Sequence, residues 1–249
     1  MSDRTVLKIS GADARHFLQG LVTNDVDRLD QGLVYAAMLT PQGKYRADFF
    51  LVPMGDAILL DVDNGLAPGL KQALTMYKLR SAVEIEETDR VVTRGLGDAP
   101  EGAFADPRDP AMGWRGYDGQ PGDAGVDWDA VRVAACVPQS GIELTTDSFI
   151  LEMGFERLNG VDFRKGCYVG QEVTARMKHK TELRKGLARV TVDGMAPVGS
   201  DIVAGEKAAG TLFTQAAGQG LAYLRFDRAN DDMRAAGATV RFTPDAPHA

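Results

Sequence analysis

The chain has 249 residues, 28 Lys and Arg against 35 Asp and Glu, and a formal net charge of −7. Its 44% hydrophobic and 25% charged residues are those of an ordinary globular protein, with room for one large domain or a few small ones. No apolar run approaches the length of a bilayer span, and the acidic balance argues against a general nucleic-acid binder, which needs a broad positive footprint.

Met1 runs almost directly into Val6-Leu7-Lys8-Ile9, which reads as a first strand, so no leader is expected. Ser10 to Asp13 then has the look of a capping box, and Ala14, Phe17, Leu18 and Leu21 recur at helical spacing. Leu33 to Leu39 and Tyr45 to Val52 read as strands joined by a turn at Pro41-Gln42-Gly43, and Ile58 to Val62 as a third. Pro68 can start a helix carrying Leu70, Ala73, Leu74 and Tyr77, and Val83 and Ile85 alternate as a strand. Residues 106–125 hold five Gly, three Pro and four Asp, so a loop or domain boundary is expected there and no packed element. Trp128 to Val137 reads as a helix with Cys136 in its core, and Phe149 to Leu158 as a helix or turn. Beyond Lys185 short strands separated by glycine suggest a small β-barrel or sandwich. The pattern is α+β with a C-terminal β module.

The chain has no dinucleotide fingerprint, no phosphate-binding loop and no nucleophile elbow. His16, His179 and His248 share no metal spacing with each other or with the two cysteines. Two cysteines cannot build a disulfide framework, so a reducing, cytoplasmic setting is expected. They also fall short of the roughly four thiolates of an all-cysteine iron–sulfur cluster, so any cluster contact is expected to be transient, with ligands shared with a partner or a second subunit. The most informative segment is Lys165-Gly166-Cys167-Tyr168-Val169-Gly170-Gln171-Glu172. Cys167 lies between glycines and close to Lys165, which could raise its thiolate fraction. It reads as a presented thiol (nucleophile, redox group or labile ligand) rather than a packed one. Gly166 and Gly170 shape the loop, Tyr168 packs or contacts ligand, and Gln171 and Glu172 bond across the loop or to a partner. Eight Lys and Arg against two Glu fall between Arg164 and Arg189, an anion-attracting run or a solvated face.

This octapeptide resembles the signature of the YgfZ-type folate-binding proteins. Those proteins act in assembly or repair of iron–sulfur enzymes, have mitochondrial counterparts, and share a fold with the glycine cleavage aminomethyltransferase (T-protein). Phe17 to Val26, Leu39 to Lys44, Tyr77-Lys78-Leu79-Arg80 and Arg176 fit the same pattern in order. The resemblance implies a T-protein-like multidomain fold around a central cavity. Residues 1–55 and 126–180 would form a discontinuous folate-binding domain, 56–125 a ferredoxin-like insertion, and 181–249 a C-terminal β-barrel.

It also implies tetrahydrofolate as cofactor, with Trp128 stacking on the pterin, Arg176 pairing with a glutamate carboxylate, and Asn24 and Asp25 bordering the site. Partners would be folate and iron–sulfur client or assembly proteins, with no direct nucleic acid and no membrane; any effect on tRNA modification would be indirect. The aminomethyltransferases carry an acidic pair after the first hairpin. Here Arg46-Ala47-Asp48-Phe49 has one acid, so a one-carbon transferase would rest on Asp48 alone. Phe149-Ile150-Leu151 also lacks the proline common after Phe-Ile. The expectation is thus an accessory factor using Cys167, its rivals being a folate-dependent transferase and a purely structural module.

Overall fold

A computed structural model describes residues 3–180 and 183–243. Residues 181–182 and 244–249 of the expected barrel span, with Glu182, His248 and the side chain of Lys180, lie outside the described residues. The chain forms two compact units: residues 1–126, 146–150 and 155–179, and residues 127–145, 151–154 and 180–249.

The first unit is built on β1 (Arg4–Ser10), α1 (Ala14–Gln19), a 3-10 turn (Val26–Gln31), β2 (Val34–Leu39), β3 (Tyr45–Met54), β4 (Ala57–Asp63), α2 (Ala67–Lys78) and β5 (Glu84–Glu87). The strands make one sheet in the order β2-β3-β4-β1-β5, with every pair antiparallel. Because β4 pairs with both β3 and β1, the sheet runs straight across the domain boundary expected at 55/56. Alternation sends Leu7, Ile9, Val34, Ala36, Ala47, Phe49, Leu51, Leu60 and Val62 to one face, where they pack with Phe17, Leu18, Leu29, Leu70 and Leu74. The expected capping box at α1 does not form: Asp13 is the N-cap without a side-chain cap, and its carboxylate accepts the Ala82 N–H instead.

The opposite face carries Tyr35, Asp48, Phe50 and Asp61, all buried. It is covered by residues from the stretch expected to be a loop, which the structure corrects. That stretch contains a 3-10 turn (Pro110–Met112) and β8 (Trp114–Gly116), which pairs with β6 (Thr93–Gly95) and β7 (Phe104–Ala105). Its glycines permit close packing rather than disorder. A Cβ on Gly113 would lie 2.0 Å from the Gly95 carbonyl oxygen, and one on Gly95 2.3 Å from the Trp114 ring. Trp114 and Tyr117 are consequently core residues.

Next in the chain are α3 (Trp128–Ala134), in the second unit, and α4 (Gln171–Lys180). Residues 150–159 form turns, not a helix. The second unit closes as a six-stranded barrel of β9 (Lys185–Asp193), β10 (Ser200–Ala204), β11 (Lys207–Ala216), β12 (Gln219–Arg225), β13 (Met233–Ala235) and β14 (Ala238–Arg241), in the order β10-β11-β12-β9-β14-β13. Val190, Val192, Ile202, Leu212, Leu224 and Val240 fill it. A buried network fixes α3 to β11: Arg132 donates to Glu143 at 2.9 Å and to Thr214, whose hydroxyl donates to Glu143 at 2.7 Å.

Candidate functional site

The signature loop is held at both ends and open at its tip. On the entry side, Gly160 packs under Tyr35 and Phe155, where a Cβ would come within 2.6 Å of the Phe155 ring. The Asp162 carboxylate accepts the Arg164 and Lys165 backbone N–H groups at 2.6 and 3.2 Å and the Arg28 guanidinium at 2.5 Å. Burial would raise the Asp162 pKa, but the Arg164 N–H and the Arg28 charge outweigh it and hold the carboxyl below its usual value.

Lys165 is buried, and its ammonium donates to the carbonyls of Gln19, Val22 and Asn24 at 2.8, 2.6 and 3.0 Å. An ammonium has three N–H donors, and all three are spent here. Lys165 therefore locks the loop onto the end of α1 and is not available to donate to the Cys167 thiolate. Burial pulls its pKa down to about 8, partly offset by Asp25, Asp162 and Asp27.

On the exit side, Tyr168 is buried with its ring 5.2 Å from the Lys165 Nζ, and burial raises its phenol pKa despite a Thr174 hydrogen bond. Gly170 has φ +83° and lies against the β2–β3 turn, where a Cβ would meet the Thr40 carbonyl oxygen at 2.6 Å. Gln171 and Glu172 open α4, with Gln171 half-buried and Glu172 exposed. Between these anchors Gly166 and Cys167 are exposed.

The basic run is divided between the units. Arg184, Lys185 and Arg189 belong to the second, Lys165 is buried, and Lys178 pairs with Glu156. Arg164 and Arg176 are also exposed in the first unit, as is the paired Lys178. Among the described residues no group of three or more His, Cys, Asp or Glu could hold a metal ion.

The residues expected around folate are divided between the two units, Asn24, Asp25 and Arg176 in the first and Trp128 in the second. Asn24 is buried, with its amide donating to the Tyr35 and Asn159 carbonyls at 2.8 and 2.6 Å and its oxygen accepting the Asp25 N–H. Asp25 caps the 3-10 turn through the Asp27 N–H and accepts from Gln19 at 2.8 Å. Arg176 is exposed on α4 in the first unit; Trp128 is half-buried at the start of α3 in the second.

The two oxygens of Asp48 accept the hydroxyls of Tyr45 and Tyr35 at 2.6 and 2.9 Å. Beside it the guanidinium carbons of Arg108 and Arg115 lie 4.7 and 4.2 Å from the Phe50 ring centre. A pterin against Asp48 would have to displace these groups, so this face as built does not fit one. Sequence reasoning missed the arginine layer completely. Its one visible trace is Asp61 in the middle of an apolar strand, a carboxylate that must find a cation when buried.

Cys136, expected in a helix core, is half-buried past the end of α3 with φ 52°.

The C-terminal β-barrel domain model of CAF17 matches residues 184–248. The iron–sulfur cluster assembly factor IBA57 homologue, mitochondrial, of Mycosarcoma maydis is 34% identical over 73% of this chain; the chain spans about half, 54%, of that relative's length. Mitochondrial IBA57 of Mus musculus is 30% identical over 90% of the chain and 76% of the relative, and that of Homo sapiens 28% over 99% and 83%. In fold, the chain resembles the glycine cleavage system aminomethyltransferase T from Bartonella henselae, with TM-score 0.71 at 13% identity over 98% of this chain and 84% of that one. The T-protein-like fold with its C-terminal barrel is thus established. At the identity and coverage shared with the mouse protein, the chain belongs to the IBA57 family of iron–sulfur cluster assembly factors.

Proposed function

We propose that this chain assists assembly of iron–sulfur enzymes by lending the Cys167 thiol as a transient ligand or acceptor for cluster components. The observation that carries this reading is the exposed Cys167 at the tip of a loop pinned by Lys165 and Asp162 before it and by Tyr168 and Gly170 after it. A rigid loop with one exposed thiol presents a ligand without enclosing it. The chain's two cysteines fall short of the roughly four thiolates of a cluster, so in this reading the remaining ligands come from a protein partner or a second subunit.

Tetrahydrofolate stays in this reading as a ligand, with Trp128 stacking on its pterin. Support comes from the aminomethyltransferase-like fold and a half-exposed indole, a surface suited to stacking. Its addition should quench tryptophan emission, and Trp128→Phe should abolish the change, since Trp114 is buried. The one-carbon transferase reading finds no support at Asp48, whose oxygens are bound by two phenols.

The deciding test is complementation in a strain lacking its own copy. Cys167→Ala should fail to restore iron–sulfur enzyme activity, while Asp48→Asn should restore it wherever the protein accumulates folded. Full rescue by Cys167→Ala, or stoichiometric binding of a four-iron cluster by the isolated monomer, would overturn the proposal.

A further inference from the structure

Tyr77, Lys78, Leu79 and Arg80 close α2, and nothing in the loop around Cys167 uses them. Three large apolar side chains are exposed within four residues there: Met76 at 69%, Tyr77 at 37% and Leu79 at 88%. The face of α2 that the fold needs is supplied by Ala67, Leu70, Ala73 and Leu74, all buried. Met76 and Leu79 therefore lie mostly outside the core, with Tyr77 at its edge, and clustered exposed hydrocarbon is a mark of an interaction site.

Leu79 adds a second cost. Its backbone has φ 38° and ψ −97°, and a conformation so far outside the regions open to L-residues costs on the order of 1–3 kcal/mol. The neighbouring chain imposes it. The Ser81 N–H donates to the Lys78 carbonyl at 2.8 Å, and the Ala82 N–H to the Asp13 carboxylate at 2.7 Å. Gly11 lies flat against Ala82, where a Cβ would come 2.1 Å from its carbonyl oxygen. A glycine at 79 would relieve the backbone and remove the exposed hydrocarbon together. Leucine gives the isolated fold neither benefit.

Charge completes the patch. Lys78 and Arg80 flank Leu79, and neither forms an ion pair among the described residues. α2 carries Lys71 and Lys78 and no acid, in a chain whose net charge is −7. An apolar centre of Met, Tyr and Leu with a basic rim has the composition of a protein interface. Alongside runs a groove of about 610 Å³ lined by Lys71, Gln72, Thr75, Met76 and Glu87.

We infer that residues 76–80 are a docking surface for a partner protein presenting a large apolar side chain flanked by aspartate or glutamate. Met76 and Leu79 receive the apolar side chain, and Lys78 and Arg80 the carboxylates. The inference rests on the assembly-factor reading: a single thiol that shares its ligands needs a separate surface to hold the partner. Opposite charge on the two rims would speed encounter and set orientation.

The test compares Leu79→Gly, Leu79→Met, the pair Lys78→Glu with Arg80→Glu, and Cys167→Ala in the complementation strain. It adds thermal melting and in-cell crosslinking from p-benzoylphenylalanine placed at 79 or, as control, at the exposed Met195. Leu79→Gly should melt at or above the parent temperature yet restore less enzyme activity, and Leu79→Met should restore it. Position 79 should give an adduct, absent at 195, whose mapped peptide is rich in Asp or Glu. Charge reversal should cut its yield about tenfold or more.

Full activity with Leu79→Gly beside failure of Cys167→Ala would overturn the docking surface and leave the proposed function standing. Full rescue by Cys167→Ala would remove the proposed function, and the adduct with its charge dependence would then decide docking by itself. An adduct to a second copy of this chain, or to a peptide without acidic residues, would overturn the inference. So would flotation with mixed phosphatidylcholine–phosphatidylglycerol vesicles that is lost in Leu79→Gly.

Discussion

Gly170 and Gly43 are packed backbone to backbone: a Cβ built on Gly170 would lie 3.2 Å from the Gly43 Cα, and one on Gly43 would lie 2.6 Å from the Val173 Cβ. Both have positive φ, +83° and +75°. The turn between β2 and β3 therefore forms the floor on which the Cys167 loop enters α4. Gly170→Ala meets both obstacles at once, a strained φ and a carbonyl oxygen at 2.6 Å. It should destabilise the protein by about 2–3 kcal/mol. Urea titration measures this directly, and faster reaction of Cys167 with a bulky thiol reagent would report the loosened loop. An unchanged urea midpoint would show that the contact is not what holds the loop.

Lys165 should leave its mark on the alkaline side. Its folded pKa lies at about 8 against 10.5 for the free side chain. Below about 8 the ammonium is charged in both folded and unfolded chains, and the burial penalty is present in full. Between the two values the unfolded chain holds more protons, so stability rises with pH. The rise assignable to Lys165 is on the order of 3 kcal/mol. Subtracting the urea stability of Lys165→Met from that of the parent, from pH 7 to 10.5, should expose this upward slope. Parallel profiles for the two proteins would remove Lys165 as its source.

What sequence could and could not disclose follows from the distance over which each feature is determined. The α1 face, the turn at Pro41–Gly43, α2 behind Pro68 and the short barrel strands were readable because periodicity and turn chemistry are local. So was the presentation of Cys167, since Gly166 and Gly170 flank it. The role of Lys165 was not readable. The thiol lies two residues on in sequence, whereas the acceptors of the Lys165 ammonium lie 141 to 146 residues earlier. Nor does the basic run from Arg164 to Arg189 act as one surface: Lys165 within it is buried and bonded to three carbonyls, and Lys178 is paired with Glu156. Residues 106–125 misled for a related reason: glycines that permit backbone contact carry the same letter as glycines that permit disorder.

Arg115 and Asp61 test that last point. Asp61 is fully buried and accepts from Arg115 at 2.7 Å, from Arg4 at 2.6 Å and from Tyr117 at 2.8 Å. Burial alone would raise its pKa, but Arg115 and Arg4 more than compensate and hold it at about 2, against 3.8 when free. Its contribution to stability is present above the free value and is lost as pH falls through about 2. Arg115→Met leaves the carboxylate with one cation fewer and should cost about 3–5 kcal/mol. It should also shift the onset of acid unfolding to higher pH. An acid transition at the parental pH would mean that Arg4 and Tyr117 suffice.

Cys136 offers a change in the opposite direction. The Val137 N–H donates to the Arg132 carbonyl at 2.8 Å and the Cys136 N–H to the Val133 carbonyl at 3.1 Å, the paired bonds of a Schellman end to α3. That motif requires a left-handed residue after the helix, and Cys136 meets the requirement with φ 52° and a Cβ that glycine would not carry. Cys136→Gly should therefore stabilise the second unit by about 0.5–1 kcal/mol. Pro138, two residues on, still ends the helix. The variant leaves Cys167 as the single thiol, so complementation at parental level would place the chemistry at Cys167. Loss of complementation despite a raised melting temperature would instead assign Cys136 a part in it.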